Sequence, residues 1–208
     1  MAYHGYIPII KRKLSETPTP RVLEVGLDTG ITTIPIIAFL ARVHEKFEFV
    51  GIDILVKESL SITLSHLDTS SDQNIRLYRG NSLNVMPEMA AAGEKFDVIL
   101  VDGDHNYHTV SQELKTLEQL LAPNGLVIVD DYHGKWSERD LYYNECPGYE
   151  NVEGATQRVE TEKQGVKPAV DEWLEANPNW ESKVYMQGEP IVLQRRELSM
   201  FGKSVFSL

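Results

Sequence analysis

The chain has a single cysteine, Cys146, so it cannot form an intrachain disulfide, and nothing in it calls for an oxidising compartment. Cys146 lies between Glu145 and Pro147 with no basic neighbour to lower its thiol pKa, which argues against a nucleophile. Long apolar runs are missing as well. None approaches the roughly 20 residues a membrane span needs, and the N-terminus lacks the apolar core of a signal peptide. Positive charge is scarce: 20 Lys and Arg stand against 31 Asp and Glu, a net charge of −11, which argues against a binder of phosphate backbones. The one dense basic run, Lys11–Arg12–Lys13, reads as the solvated face of a short N-terminal helix. Internal repeats and low-complexity tracts are absent too. These absences point to a soluble, cytoplasmic protein with no nucleic-acid or membrane partner.

What is present is a core. With 208 residues, 42% of them hydrophobic, the chain reads as one α/β domain over 1–208. Its organising stretch is Phe96 to Tyr132, where the β-branched runs Val98–Val101 and Leu126–Val129 read as buried parallel strands, each ended by Asp. Between them Val110, Leu114, Leu117, Leu120 and Leu121 recur at helical spacing until Pro123, Asn124 and Gly125 stop the helix. That is a βαβ unit. Ligands of open α/β sheets bind beyond the carboxyl ends of the strands, and this edge carries Asp102, Asp104, His105, Asp130 and Asp131.

Upstream, residues 1–20 read as a flap or docking segment ending in the breaker-rich Ser15–Pro20. Val22–Val25 is a strand that runs into Gly26–Leu27–Asp28–Thr29–Gly30. A helix follows through Ile34, Ile37, Ala38 and Ala41, with Thr32 or Thr33 as its cap. Strand, glycine turn and helix N-terminus together form a site for a polar ligand. The strand Phe47–Ile52 ends at Asp53, 23 residues after Gly30, near the offset at which an acid holds ribose hydroxyls. A helix over Val56–Leu67 and a strand over Ile75–Tyr78 lead to Gly80–Asn81–Ser82, which either faces an adenine or simply turns into the helix near Val85–Ala92. Residues 133–164, polar with Trp136, Tyr142, Tyr143 and Tyr149, read as a lid insertion. Then come a helix over Val166–Ala176, an antiparallel hairpin of Lys183–Met186 with Ile191–Leu193, and an unpatterned tail at 197–208.

Five strands alternating with helices and closed by a hairpin resemble the class I S-adenosylmethionine-dependent methyltransferases. The fold this implies is a Rossmann-like, doubly wound, seven-stranded sheet, mostly parallel with a C-terminal antiparallel hairpin. The turn Glu24–Val25–Gly26–Leu27–Asp28–Thr29–Gly30 resembles the E-x-G-x-x-x-G motif of that family. VDGDHNYHTVSQEL with LAPNGLVIVDDY is similar to its branch of macrocin-type, metal-dependent O-methyltransferases, and GVKPAVDEWLEANP looks like the helix those proteins carry before the hairpin. The resemblance covers residues 20–196.

It implies that Gly26, Thr29 and Gly30 admit the methionine part of S-adenosylmethionine and that Glu24 reaches its amino end. Asp53 would hold the ribose, and Asn81 with Ser82 the adenine, with Asp102 beside the cofactor. Asp102, Asp130 and Asp131 would bind a divalent metal such as Mg²⁺. His105, whose ordinary pKa lies near neutrality, is the first choice for the base that deprotonates the acceptor, with Asp104 and His133 as rivals. Two positions depart from the pattern: Asp28 stands where Gly is common, and Asn81 where an acid is common.

The reading is therefore metal-assisted O-methylation of a small hydroxylated acceptor, a sugar or a phenol. Other readings stay open: a nicotinamide oxidoreductase, against which the missing third Gly of G-x-G-x-x-G counts; a metal-dependent hydroxylase-like relative; and a cofactor-binding module without chemistry. The apolar N-terminal segment and the tail could serve a homodimer.

Overall fold

The structure, a computed structural model, describes residues 7–67, 70–183 and 190–196. Its centre is one seven-stranded sheet in the order β3-β2-β1-β4-β5-β7-β6. The strands are β1 (Arg21–Val25), β2 (Phe47–Asp53), β3 (Gln73–Arg79), β4 (Phe96–Val101), β5 (Leu121–Val129), β6 (Trp180–Lys183) and β7 (Ile191–Arg195). The first five are parallel, while β7 runs antiparallel to both β5 and β6. This is the expected fold class. Of the expected hairpin, residues 184–189 lie outside the described residues, as does the tail at 197–208.

Alternation along the strands divides the core in two. Leu23, Val25, Ile99, Val101, Val127 and Val129 face α4 (Ser82–Ala91), α5 (Tyr107–Leu120) and α6 (Val166–Ala176). Val22, Phe49, Val98, Leu100 and Ile128 face α1 (Ile7–Ser15), α2 (Thr33–Val43) and α3 (Glu58–Ser65). Both faces are covered, which is why the inner strands read as continuous apolar runs.

Two expectations are corrected here. The described part of the 1–20 segment is not a flap: α1 buries Ile7, Ile10 and Leu14 against α2, so its basic run is the outer face of a core helix. Nor does Pro123–Gly125 separate helix from strand. The helix ends at Leu120 and β5 begins at Leu121, with pairing to β4 passing from Phe96↔Leu121 to Val98↔Leu126 across the proline turn.

The order reverses between β1 and β4. Strands β2 and β3 lie on one side and β5 on the other, so the crevice beyond the ends of β1 and β4 is the switch point at which such sheets bind ligands.

Candidate functional site

Gly26, the first residue beyond β1, has φ +86°, and a Cβ there would come 1.9 Å from the Asp102 carbonyl oxygen. Glycine is therefore what lets the β1 and β4 ends close on each other. The Asp102 N–H donates to Val25 O at 2.8 Å and the Gly26 N–H to Ile52 O at 2.9 Å, so the two loops leave the sheet already tied. Asp28 holds a left-handed φ of 42°, a conformation Asp tolerates, and this is how the turn keeps its shape without glycine. Its carboxylate pairs with Lys57 and accepts the Tyr149 hydroxyl at 3.3 Å.

Asp53 is buried where the turn needs it. Oδ2 accepts the Leu27 N–H at 2.7 Å and the Asp28 N–H at 3.1 Å, and Oδ1 accepts the Leu55 N–H at 2.8 Å. It also lines a cavity of about 510 Å³, open mouth included, that runs from Gly26 and Asp53 to Asn81, Ser82 and Asp104. Asn81 caps α4, accepting the Leu83 N–H at 2.9 Å, while its amide donates to Gly154 O at 2.8 Å and Thr156 Oγ1 at 3.0 Å. The Asn81–Ser82 turn is thus a turn into a helix, capped by Asn81, that also lines the cavity.

Three residues of the 133–164 segment reach this cavity. Tyr143, Tyr149 and Thr156 line it, and the Tyr143 N–H donates to Asp104 Oδ1 at 2.9 Å. These lid contacts, and the Lys57–Asp28 pair, lay beyond sequence reasoning because they join residues far apart in the chain. The aromatic content of the segment was the one signal for them.

A second cavity of about 460 Å³, open mouth included, lies beside the first, lined by Glu24, Ile31, Thr32 and His105 and sharing Gly26, Asp28, Asp102 and Tyr143 with it. Glu24 is 1% exposed, and burial pushes its carboxyl up to about 8 although Thr33 Oγ1 donates to it at 2.7 Å. Thr29, the remaining turn residue expected at the cofactor, bonds its hydroxyl to Asp28 Oδ2 at 3.2 Å.

Parallel pairing of Val101 with Val129 sets the next residues, Asp102 and Asp130, side by side. One ligand atom each from Asp102, His105 and Asp130 fall within 4.8 Å of one another. His105 Nε2 is 3.6 Å from Asp102 Oδ1, and Nδ1 is 3.6 Å from Asp131 Oδ2. Burial, with Asp130 close by, raises the Asp102 carboxyl well above the carboxylate range, and burial lowers the His105 imidazole to about 4. Two strand-end carboxylates and an imidazole that bring ligand atoms within 4.8 Å of one another are donors of the kind a divalent cation takes, so this donor set fits one.

Asp131, expected in the metal set, stands on the far side of His105. Its φ is 57°, and the Trp136 and Lys135 N–H groups bond its carboxylate, which turns it towards the start of the lid. Of the rival bases, Asp104 is raised to about 6 by burial and faces the first cavity. His133 is exposed, edge-on to Tyr132, and lines neither cavity.

Residues 23–132 match the methyltransferase domain family. No curated protein matches the chain. Among solved structures it is similar to the MycE methyltransferase of the mycinamycin biosynthetic pathway, in complex with Mg and SAH, at 17% identity and a TM-score of 0.58 over 98% of this chain and 53% of that one. It is also similar to CalS11, a TDP-rhamnose 3′-O-methyltransferase of calicheamicin biosynthesis, at 12% identity and 0.58 over 90% of this chain and 76% of that one. The SAH-bound Podospora anserina methyltransferase PaMTH1 aligns at 16% identity and 0.57, covering 91% of this chain and 77% of its own. The chain spans about half the length of MycE. No helix among the described residues is long and apolar enough to cross a membrane. With the glycine turn, the strand-end acids and the strand order in their places, the chain belongs to the methyltransferase domain family, the class I S-adenosylmethionine-dependent methyltransferases its sequence resembles.

Proposed function

We propose that the chain transfers a methyl group from S-adenosylmethionine to a hydroxyl oxygen of a small acceptor, with a divalent cation such as Mg²⁺ at the acidic cluster. The observation that carries this reading is that the two cavities share Gly26, Asp28, Asp102 and Tyr143, while His105 lines only the second. A donor in the first and an acceptor in the second would meet at Asp102, with the imidazole on the acceptor's side.

In this reading Asp53 and the Gly26 turn bind the nucleoside side of the cofactor, and Glu24 faces its amino end. Asp102 and Asp130 would hold the cation, with Asp131 beside them across His105. The bound cation supplies a positive charge that lowers the pKa of an acceptor hydroxyl. His105, beside Asp102 on the acceptor's side, would take the acceptor's proton. Tyr143 and Tyr149 close the donor cavity and exclude water, which would otherwise compete for the methyl group. The Mg and SAH bound by MycE, and the sugar O-methyltransferase activity named for CalS11, support the choice of cofactor, cation and oxygen acceptor.

Calorimetric titration with S-adenosylhomocysteine, with and without Mg²⁺, is the first test. Binding is expected, followed by methyl incorporation into a panel of sugars and phenols. A protein that binds nothing in either condition overturns the reading.

A further inference from the structure

Within the 133–164 segment a neck and an arc can be told apart. At the neck Tyr142, 0% exposed, bonds both backbone groups of Val159: its hydroxyl donates to Val159 O at 3.2 Å and accepts the Val159 N–H at 3.3 Å. Asn144 meets Gln157 at 3.0 Å, and the Arg158 guanidinium takes the Glu145 carboxylate through two bonds of 2.7 Å. From this neck residues 146–156 run out and back, with left-handed turns at Gly148 and Gly154, where φ is +89° and +84°. Pairing across the neck keeps the two ends of such a loop together whatever the arc does.

The arc is fastened to the sheet edge by side chains that line the first cavity. The Tyr149 hydroxyl bonds Asp28 Oδ1 at 3.3 Å, and Lys57, paired with that carboxylate, lies 5.8 Å from the centre of the Tyr149 ring. Asn81 Nδ2 donates to Gly154 O at 2.8 Å and to Thr156 Oγ1 at 3.0 Å. Partners fix which way this amide points: the Leu83 N–H can only donate, which claims Oδ1, and the Gly154 carbonyl can only accept, which needs Nδ2. Thr156 also bonds Asp104, which holds the neck through the Tyr143 N–H. The Asp28 and Asn81 bonds lie at the surface, where a single hydrogen bond contributes little, so the arc can open while the sheet stays intact.

We propose that residues 146–156 are a clasp on the cofactor cavity and that Asp28 and Asn81 are the positioning residues that hold it shut, so that release of the bound cofactor waits on opening of the arc. This rests on the S-adenosylmethionine reading and adds to it what limits exchange of the spent cofactor. Tyr149 and Thr156 line the cavity, so a ligand there touches the arc itself. The two departures from the turn pattern, Asp28 and Asn81, thereby gain a use: a glycine offers Tyr149 no carboxylate, and an acid offers the Gly154 carbonyl no N–H.

Hydrogen exchange of the ligand-free full chain, read by mass spectrometry, tests the fastenings, and the dissociation rate of S-adenosylhomocysteine tests their consequence. The Tyr149, Val152 and Ala155 amides are bonded within the arc. They should exchange about three- to tenfold faster in Tyr149→Phe and in Asn81→Asp, with peptides from β1 and β4 unchanged. Asp caps a helix as well as Asn, so Asn81→Asp keeps α4. Asp28→Gly, which suits the left-handed turn, should do at least as much as Tyr149→Phe, since it frees Lys57 as well. Each variant should release S-adenosylhomocysteine faster by about the same factor. Residues that merely touch the ligand would quicken release and leave exchange of the ligand-free arc unchanged, which overturns the inference. So does an arc that exchanges faster while release keeps its wild-type rate. Failure of the wild type to bind S-adenosylhomocysteine is a different outcome: it removes the cofactor reading, while exchange in the ligand-free chain still decides whether Asp28 and Asn81 hold the arc.

Discussion

His105 Nε2 lies 3.6 Å from Asp102 Oδ1, joining the first turn after β4 back to the strand's own end. Asp130 stands beside the pair at the end of β5, so two acids and an imidazole share one corner of the sheet edge. A cation there relieves the repulsion between the acids and stabilises the fold by mass action. Millimolar Mg²⁺ or Mn²⁺ should raise the thermal midpoint of the wild type and leave that of Asp130→Asn unmoved. A wild-type midpoint indifferent to both ions, read by scanning calorimetry, would count against a metal site.

Glu113 makes stability depend on pH in a stated direction. Its folded pKa of about 8 is above the usual 4.5, because burial disfavours the charged form. The folded state therefore holds a proton that the unfolded chain releases, so this contribution is fully present below about pH 4.5 and is lost as pH rises through about 8. Glu113→Gln has no such proton. Denaturation of the cofactor-free protein should find the two alike in acid and the variant more stable above pH 8, by an amount that grows across that window. A constant difference at all pH values would sink the assignment.

Gly26→Ala tests the closure of the switch point. The new Cβ would fall 1.9 Å from the Asp102 carbonyl oxygen, a main-chain atom that cannot step aside as a side chain can. Left-handed strain alone costs about 1–3 kcal/mol, and the clash adds to it, so a loss of more than about 3 kcal/mol is expected in urea denaturation. Binding of S-adenosylhomocysteine should be lost with it. Unchanged stability would mean the loops separate readily.

Ile10→Ala decides between a flap and a core helix at the N-terminus. Ile10 is 0% exposed and packs with Ile36, Ile37 and Leu40 in the same cluster. Truncating a fully buried isoleucine costs about 2–5 kcal/mol, while the same change in a detached flap costs almost nothing. The denaturation midpoint separates the two outcomes.

Much of this was legible in the chain because it is local. Runs such as Val98–Val101 can only be buried strands, and Leu114, Leu117 and Leu120 can only face a core, since period and length are properties of neighbouring residues. The glycine turn and the acids at the strand ends were legible for the same reason. The N-terminal helix is legible, but its packing is not: its apolar stripe, Ile7, Ile10 and Leu14, is only three residues wide and sits beside a basic run. What that stripe packs against lies in α2, which no local pattern reveals.

The sequence by itself determined the elements, their order and the residue types delivered to the sheet edge, because periodicity, turn chemistry and strand ends are written in consecutive positions. Only the tertiary structure decided which of those residues meet. It set His105 rather than Asp131 with Asp102 and Asp130, made Asp53 an anchor of the glycine turn, and placed Glu113 behind Ser82. The physical reason is that each is a contact across the sheet or between helices. Direction of approach, burial and the fate of each hydrogen are set there by packing, and chain spacing carries no record of them.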